Sequence, residues 1–155
     1  MSVTIRKSDP KDTEAIFSLL PRLADFPLPE GRSPEDIIRK TASLVAEALQ
    51  GSSGDAELLV AAEDQTVIGF VLLQTRNDFF TGEPHGYVAD LAVKKEVEGR
   101  GVGRLLLEAS EHWARRRGYR RIVLHALSGN ERAKGIYEKF GFKQDTIQYA
   151  KMLSS

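Results

Sequence analysis

The sequence predicts an α/β fold on a mixed sheet, and three features carry that expectation. Apolar residues fill Glu57 to Ala62, a turn follows at Glu63-Asp64-Gln65, and Thr66 to Thr75 is apolar again, the pattern of an antiparallel hairpin. Tyr87–Val93 reads as a further strand and leads through a glycine-rich turn into an amphipathic helix. The order hairpin, strand, helix, strand, helix, strand differs from the regular alternation of a parallel βαβ array.

Taken from the start, Val3 to Arg6 alternate briefly and give a short first strand, halted by Ser8-Asp9-Pro10. Asp9 suits an N-cap and Pro10 the first turn of a helix, along which Ala15, Ile16, Leu19, Leu20 and Leu23 recur at helical spacing. The loop FPLPEGRSP, with Pro27, Pro29, Gly31 and Pro34, breaks the chain. A second helix starts at Pro34, turns Ile37, Ile38, Leu44, Val45, Ala48 and Leu49 inward, and ends at Gly51–Gly54.

After the hairpin, NDFFTGEPHG is a longer loop before the Tyr87–Val93 strand. The helix beyond the glycines carries Leu105, Leu106, Ala109 and Trp113 and stops at Gly118. Arg121 to Ala126 reads as a strand, and a last helix spans Glu131 to Phe140, with Ala133, Ile136, Tyr137 and Phe140 on one face. Ser128 and Glu131 have capping-box spacing. Gly141 fits a left-handed cap on which Phe142 folds back, and Ile147, Tyr149 and Met152 mark a final strand.

The 155 residues fit one domain, 1–155, and their 41% hydrophobic content suffices for a core. With 22 basic and 22 acidic residues, the balance excludes a general polyanion binder, so no nucleic acid is expected as partner. The absence of cysteine removes disulfides, a thiol nucleophile and a thiolate zinc site. No apolar stretch approaches the roughly 20 residues that span a bilayer, and the first ten residues lack a signal core; the expectation is a cytoplasmic protein with no membrane partner. The three histidines, His85, His112 and His125, are too scattered for a metal site. His125, on an apolar strand, is expected to be an interior histidine. Arg115-Arg116-Arg117 sits at a helix C-terminus, where cations offset the dipole.

The segment Glu98-Gly99-Arg100-Gly101-Val102-Gly103-Arg104 holds the most chemistry. The first amides of a helix lack intrahelical partners and carry partial positive charge, and glycines let ligand oxygens approach them. Such a turn suits phosphate. A P-loop would require Lys-Ser/Thr after the last glycine, and Arg104-Leu105 stands there; a dinucleotide turn would require a third glycine where Leu106 stands.

The stretch YVADLAVKKEVEGRGVGRLLLEA, followed by NERAKGIYEKFGF, resembles the GNAT superfamily of acyl-coenzyme A N-acyltransferases. The resemblance implies a mixed, mostly antiparallel sheet flanked by helices, with the fourth and fifth strands splayed apart. It implies acetyl-coenzyme A as co-substrate, no metal, a homodimer, and direct transfer to an amine acceptor whose class the sequence does not give. It places the cofactor on the backbone of Leu91, Ala92 and Val93, on Arg100, Gly101, Val102, Gly103 and Arg104, and on Asn130, Lys134 and Tyr137. Glu98 departs from the family's usual Arg or Gln, with Arg100 and Arg104 as compensating cations. Spacing alone makes Tyr137 a core aromatic beside Phe140; the resemblance makes it the proton donor to the leaving thiolate. Asn130 is either a helix cap or a cofactor contact. Asp90, His85, Glu83 and a water remain open as the general base. A non-catalytic acyl-coenzyme A sensor is the alternative function.

Overall fold

In a computed structural model that describes residues 2–51 and 55–154, five strands form one sheet in chain order. They are β1 (Val3–Lys7), β2 (Glu57–Glu63), β3 (Thr66–Asn77), β4 (Pro84–Val93) and β5 (Ile122–Leu124). Pairing is antiparallel from β1 to β4, and β4 pairs in parallel with β5. The helices are α1 (Thr13–Ser18), α2 (Pro34–Leu49), α3 (Val102–Arg116) and α4 (Glu131–Phe140).

Local chemistry accounts for most of these boundaries. The β2–β3 hairpin closes on Asp64 and Gln65, at φ 48° and 71°, a two-residue turn whose left-handed residues match the strand twist. Both α3 and α4 end in Schellman motifs. In α3, Tyr119 N–H donates to the Ala114 carbonyl and Gly118 N–H to that of Arg115; in α4, Phe142 bonds back to Tyr137 and Gly141 to Glu138.

The first predicted helix is instead three pieces: a 3-10 turn at Pro10–Asp12, α1, and a 3-10 segment at Leu20–Ala24. Pro21 lacks the N–H that would continue α1, and its ring would crowd the preceding turn. Asp9 caps the first piece as expected, and Arg6 holds Asp12 through bonds of 2.8 and 3.0 Å. The cap of α4 is Asn130, whose side chain accepts from Ala133 N–H at 3.2 Å, so the expected Ser128 box does not form. The expected final strand is absent: residues 142–154 form no strand, and Ile147 and Tyr149 are exposed. β5 is also shorter than the expected Arg121–Ala126.

Both faces of the sheet are covered. On one, α3 packs Leu106 and Trp113 against Ile68, Val71 and Val88; on the other, Ile16, Leu20 and Val45 meet Val60, Phe70 and Leu72. Phe70 is fully buried, and replacing it with alanine should cost about 3–5 kcal/mol in urea unfolding. A loss under about 1 kcal/mol would contradict this packing.

β4 begins three residues earlier than the sequence suggests. Pro84 costs little as a strand's first residue, and Gly86 lets the strand pass beneath Trp113, whose ring lies 3.0 Å from where a Cβ would sit.

Candidate active site

β4 and β5 pair at only three positions, Gly86 with Ile122, Tyr87 with Val123 and Val88 with Leu124. Beyond them the β4 edge from Ala89 to Val93 has no strand partner on that side among the described residues. The break coincides with a bulge: opposite β3, Leu72 faces Asp90 and Leu73 faces Val88, leaving Ala89 extra. Val88, Leu91 and Val93 pack on the α3 side, whereas Ala89 and Ala92 pack on the α2 side. The extra residue thus turns Asp90 out of the α3-facing core, toward Thr41 of α2.

The same edge supplies backbone groups. Lys94 N–H donates to the Ile68 carbonyl, so antiparallel alternation directs Ala92 toward Phe70 and leaves Leu91 and Val93 facing the gap. Of the three backbone positions expected from the sequence, Leu91 and Val93 face the gap and Ala92 pairs with β3. Arg22 Nε already occupies the Val93 carbonyl at 3.0 Å.

At the end of the gap, Gly101 is the N-cap of α3 at φ 83°, ψ 11°. A Cβ at Gly99, Gly101 or Gly103 would meet no atom within 4 Å. The first intrahelical bond runs from Leu105 N–H to the Gly101 carbonyl, leaving the amides of Val102, Gly103 and Arg104 without helical partners. These donors and an open approach fit a diphosphate.

The expected cations lie on this rim in pairs with acids. Arg100 bonds Glu63 at 2.6 Å, Arg104 bonds Glu108 at 3.2 Å and stacks over Phe140, and Lys134 bonds Glu131 at 2.8 Å. Glu98 is ion-paired to Arg22 and, at 3.6 Å, to Arg132. Its charge is therefore met by Arg22 and Arg132, while Arg100 and Arg104 pair with other acids. Neither Arg22 nor Arg132 stands out in the sequence, because surface arginines on helices are ordinary.

Tyr137 sits on α4, its ring packed edge-on against Phe142. Burial, with the nearby Asp90 charge second, pushes its phenol up to about 12, so it stays protonated throughout the neutral range. Burial also raises the Asp90 carboxyl to about 6, a rise tempered by the Thr41 hydroxyl and the charge of Arg76. Asp90 therefore remains an ionised base at neutral pH, closer to neutrality than an ordinary carboxylate. The other base candidates are placed differently: His85 is buried with Nδ1 at 3.0 Å from the Gly86 carbonyl, and Glu83 pairs with Arg120 at 3.7 Å.

The raised Asp90 value has a stability consequence. Between about pH 4 and 6 the unfolded carboxyl ionises before the folded one, so the folded state binds more protons and loses stability as pH rises. Asp90→Asn removes this pH dependence. The melting-temperature difference, variant minus wild type, should be more positive at pH 7 than at pH 4; a difference independent of pH would contradict the burial.

Sequence reasoning missed three neighbours. His125 is exposed, not interior, and its Nδ1 lies 2.9 Å from the Tyr87 hydroxyl. Arg76 stacks on the Tyr87 ring at 3.8 Å. Thr41 is 4% exposed and reaches Asp90 Oδ1 at 3.4 Å. Only Thr41 had a signal, as a polar residue at a core position between Ile37 and Val45.

A mostly antiparallel sheet that opens beside its fourth strand onto a glycine-rich helix start is the architecture of the N-acetyltransferase class. The family model described as "Acetyltransferase (GNAT) family" matches residues 19–142, and the chain belongs to that family. It is 29% identical over 156 residues to aminoglycoside N(6')-acetyltransferase type 1 of Stenotrophomonas maltophilia, covering 96% of this chain and 92% of that one. It is 32% identical over 106 residues to the mycothiol acetyltransferase of Rhodococcus jostii, covering 68% of this chain but 35% of that protein. Among solved structures, a putative acetyl transferase from Pyrococcus furiosus superposes with TM-score 0.74 at 27% identity, covering 98% of this chain and 100% of that one. The aminoglycoside N-acetyltransferase AAC(6')-Iy, solved in complex with CoA, shares the fold with TM-score 0.74 at 21% identity, covering 98% and 96%. Among the described residues no helix is long and apolar enough to cross a membrane.

Proposed function

We propose that this chain transfers an acetyl group from acetyl-coenzyme A to an amine held in the same complex. The observation that carries the reading is a β4 edge without a strand partner among the described residues, followed along the chain by the open amides of α3, a pairing that suits a thioester-bearing arm and its diphosphate. When bound, acetyl-coenzyme A supplies the activated acyl group: a nitrogen–carbon bond forms as the carbon–sulfur bond breaks and its electron pair leaves on sulfur.

The chain's own groups then have separate tasks. The amides of Val102, Gly103 and Arg104 bind the diphosphate, and Leu91 and Val93 orient the arm, with Arg22 yielding the Val93 carbonyl. Arg104 and Lys134 exchange their exposed acid partners for phosphate oxygens at little cost, because such pairs contribute little, and Arg100 turns from the half-buried Glu63. The Asn130 Oδ1 stays on its cap, leaving the amide nitrogen for the arm. Asp90 takes the proton that the nitrogen gives up. Tyr137 offers its hydroxyl to the departing sulfur. A phenol near 12 facing a thiol whose ordinary pKa is about 8.5 acts as a hydrogen-bond donor, and the proton that finally resides on sulfur comes from solvent.

The reading includes one domain over 1–155, a cytoplasmic location and a homodimer; exposed Ile147, Tyr149 and Leu153 favour a covered tail. It is tested by titrating coenzyme A calorimetrically and then following thiol release from acetyl-coenzyme A across a panel of amines. Binding with amine-dependent release is the expected result. Binding without release from any amine would move the chain to a sensor.

A further inference from the structure

Between the loop that precedes α2 and the first turns of α2 lies an open cavity of about 350 Å³, lined by Gly31, Arg32, Ser33, Asp36, Ile37, Lys40 and Thr41. Its lining includes Thr41, whose hydroxyl donates to Asp90 Oδ1 at 3.4 Å, so a single side chain separates the cavity from the proposed base. The loop that frames it is held in place: Gly129 packs against the Pro27 carbonyl so closely that a Cβ would sit 1.9 Å from the oxygen, and Gly31 faces the Met152 side chain.

The charges around this cavity are uneven. Among the described residues ten of the thirteen arginines form ion pairs with carboxylates, and the exceptions are Arg32, Arg76 and Arg116. Of these three, Arg32 lies in the cavity and Arg76 over Tyr87 beside Asp90. Lys40, also on the lining, has no carboxylate partner among the described residues, and the one acid in the lining, Asp36, is paired with Arg39. In a chain with equal numbers of acidic and basic residues, cations left unpaired at one cavity are available to an incoming anion.

We infer that the acceptor is an amine carrying a separate anionic group, a phosphate or a carboxylate, with its nitrogen at Asp90 and its anion between Arg32 and Lys40. This rests on the acetyl-transfer reading and narrows it. A polycation would place like charge against Arg32 and Lys40, and the lining itself holds no unpaired carboxylate, the exposed Glu30 and Glu35 lying beside it in the chain. The site therefore differs in charge from what an aminoglycoside requires, although an aminoglycoside acetyltransferase is among the relatives.

The test uses matched acceptors differing in the anion: glucosamine 6-phosphate against glucosamine, phosphoethanolamine against ethanolamine, and phenylalanine against its amide, with kanamycin and spermidine as polycations. The expected result is a kcat/KM at least tenfold higher for the anionic member of one or more pairs, with the polycations poorest. Lys40→Glu and Arg32→Glu should collapse that ratio through acceptor KM, while calorimetric affinity for acetyl-coenzyme A stays as in the wild type. Equal rates within every pair, or a preference for kanamycin or spermidine, would overturn the inference and leave acetyl transfer standing. Acetyl-coenzyme A binding with no amine acetylated would overturn both.

Discussion

Gly101→Val should weaken acetyl-coenzyme A binding at least 100-fold while the protein still folds. Gly101 holds φ 83° at the start of α3, a region that a β-branched residue enters only with strain of about 1–3 kcal/mol. Relief of that strain rotates the amides of Val102 and Gly103, and the new side chain projects into the space where the diphosphate would lie. Two losses therefore add at one position. Gly103→Ala separates them: Gly103 lies within α3 and is not at positive φ, so alanine favours the helix and still intrudes on the same space. It should raise the melting temperature and lower the affinity together. Calorimetry and thermal unfolding on both variants check this; unchanged affinity in both would remove the diphosphate from this helix.

Tyr137→Phe should lower kcat about 100-fold, the effect of losing one hydrogen-bond donor to developing charge, and leave acetyl-coenzyme A affinity within about threefold. The ring contact with Phe142 survives the change, and the Schellman bond from Phe142 N–H to the Tyr137 carbonyl uses backbone alone. Only the donor to sulfur is lost. The wild-type rate should show no decline attributable to this phenol below about pH 10, because burial keeps it protonated. A variant with kcat within twofold of wild type would return Tyr137 to the purely structural role its spacing also suggests.

Local chemistry made much of this architecture readable in advance. The hairpin around Asp64 and Gln65, the glycine start of α3 and the Gly141–Phe142 ending each follow from residues within a turn of one another. What was not readable depends on distant partners. The bulge at Ala89 exists only against β3, and without it Asp90 would face the α3 core. His85 and Gly86 look like loop residues, yet Gly86 is needed because Trp113, distant in sequence, presses on the strand. The apolar period through Leu19, Leu20 and Leu23 masked the break that Pro21 imposes. The tail's alternation promised a strand, but β5 offers only three residues, and no ladder forms beyond it.

Glu98 illustrates how a residue that looks adverse in sequence is resolved in space. Beside a diphosphate its charge would repel, yet Arg22 and Arg132 converge on it from two other elements. Arg22 also pairs with Asp25, so the cluster carries two positive and two negative charges, and Glu98 adds no unpaired charge to the mouth of the gap.

The central claim concerns where the cofactor lies. Backbone amide resonances followed during titration with acetyl-coenzyme A test it most directly. The largest shifts are expected on Arg100 to Arg104 and on Leu91 and Val93. Saturable shifts confined to other residues, with these amides unmoved, would contradict it.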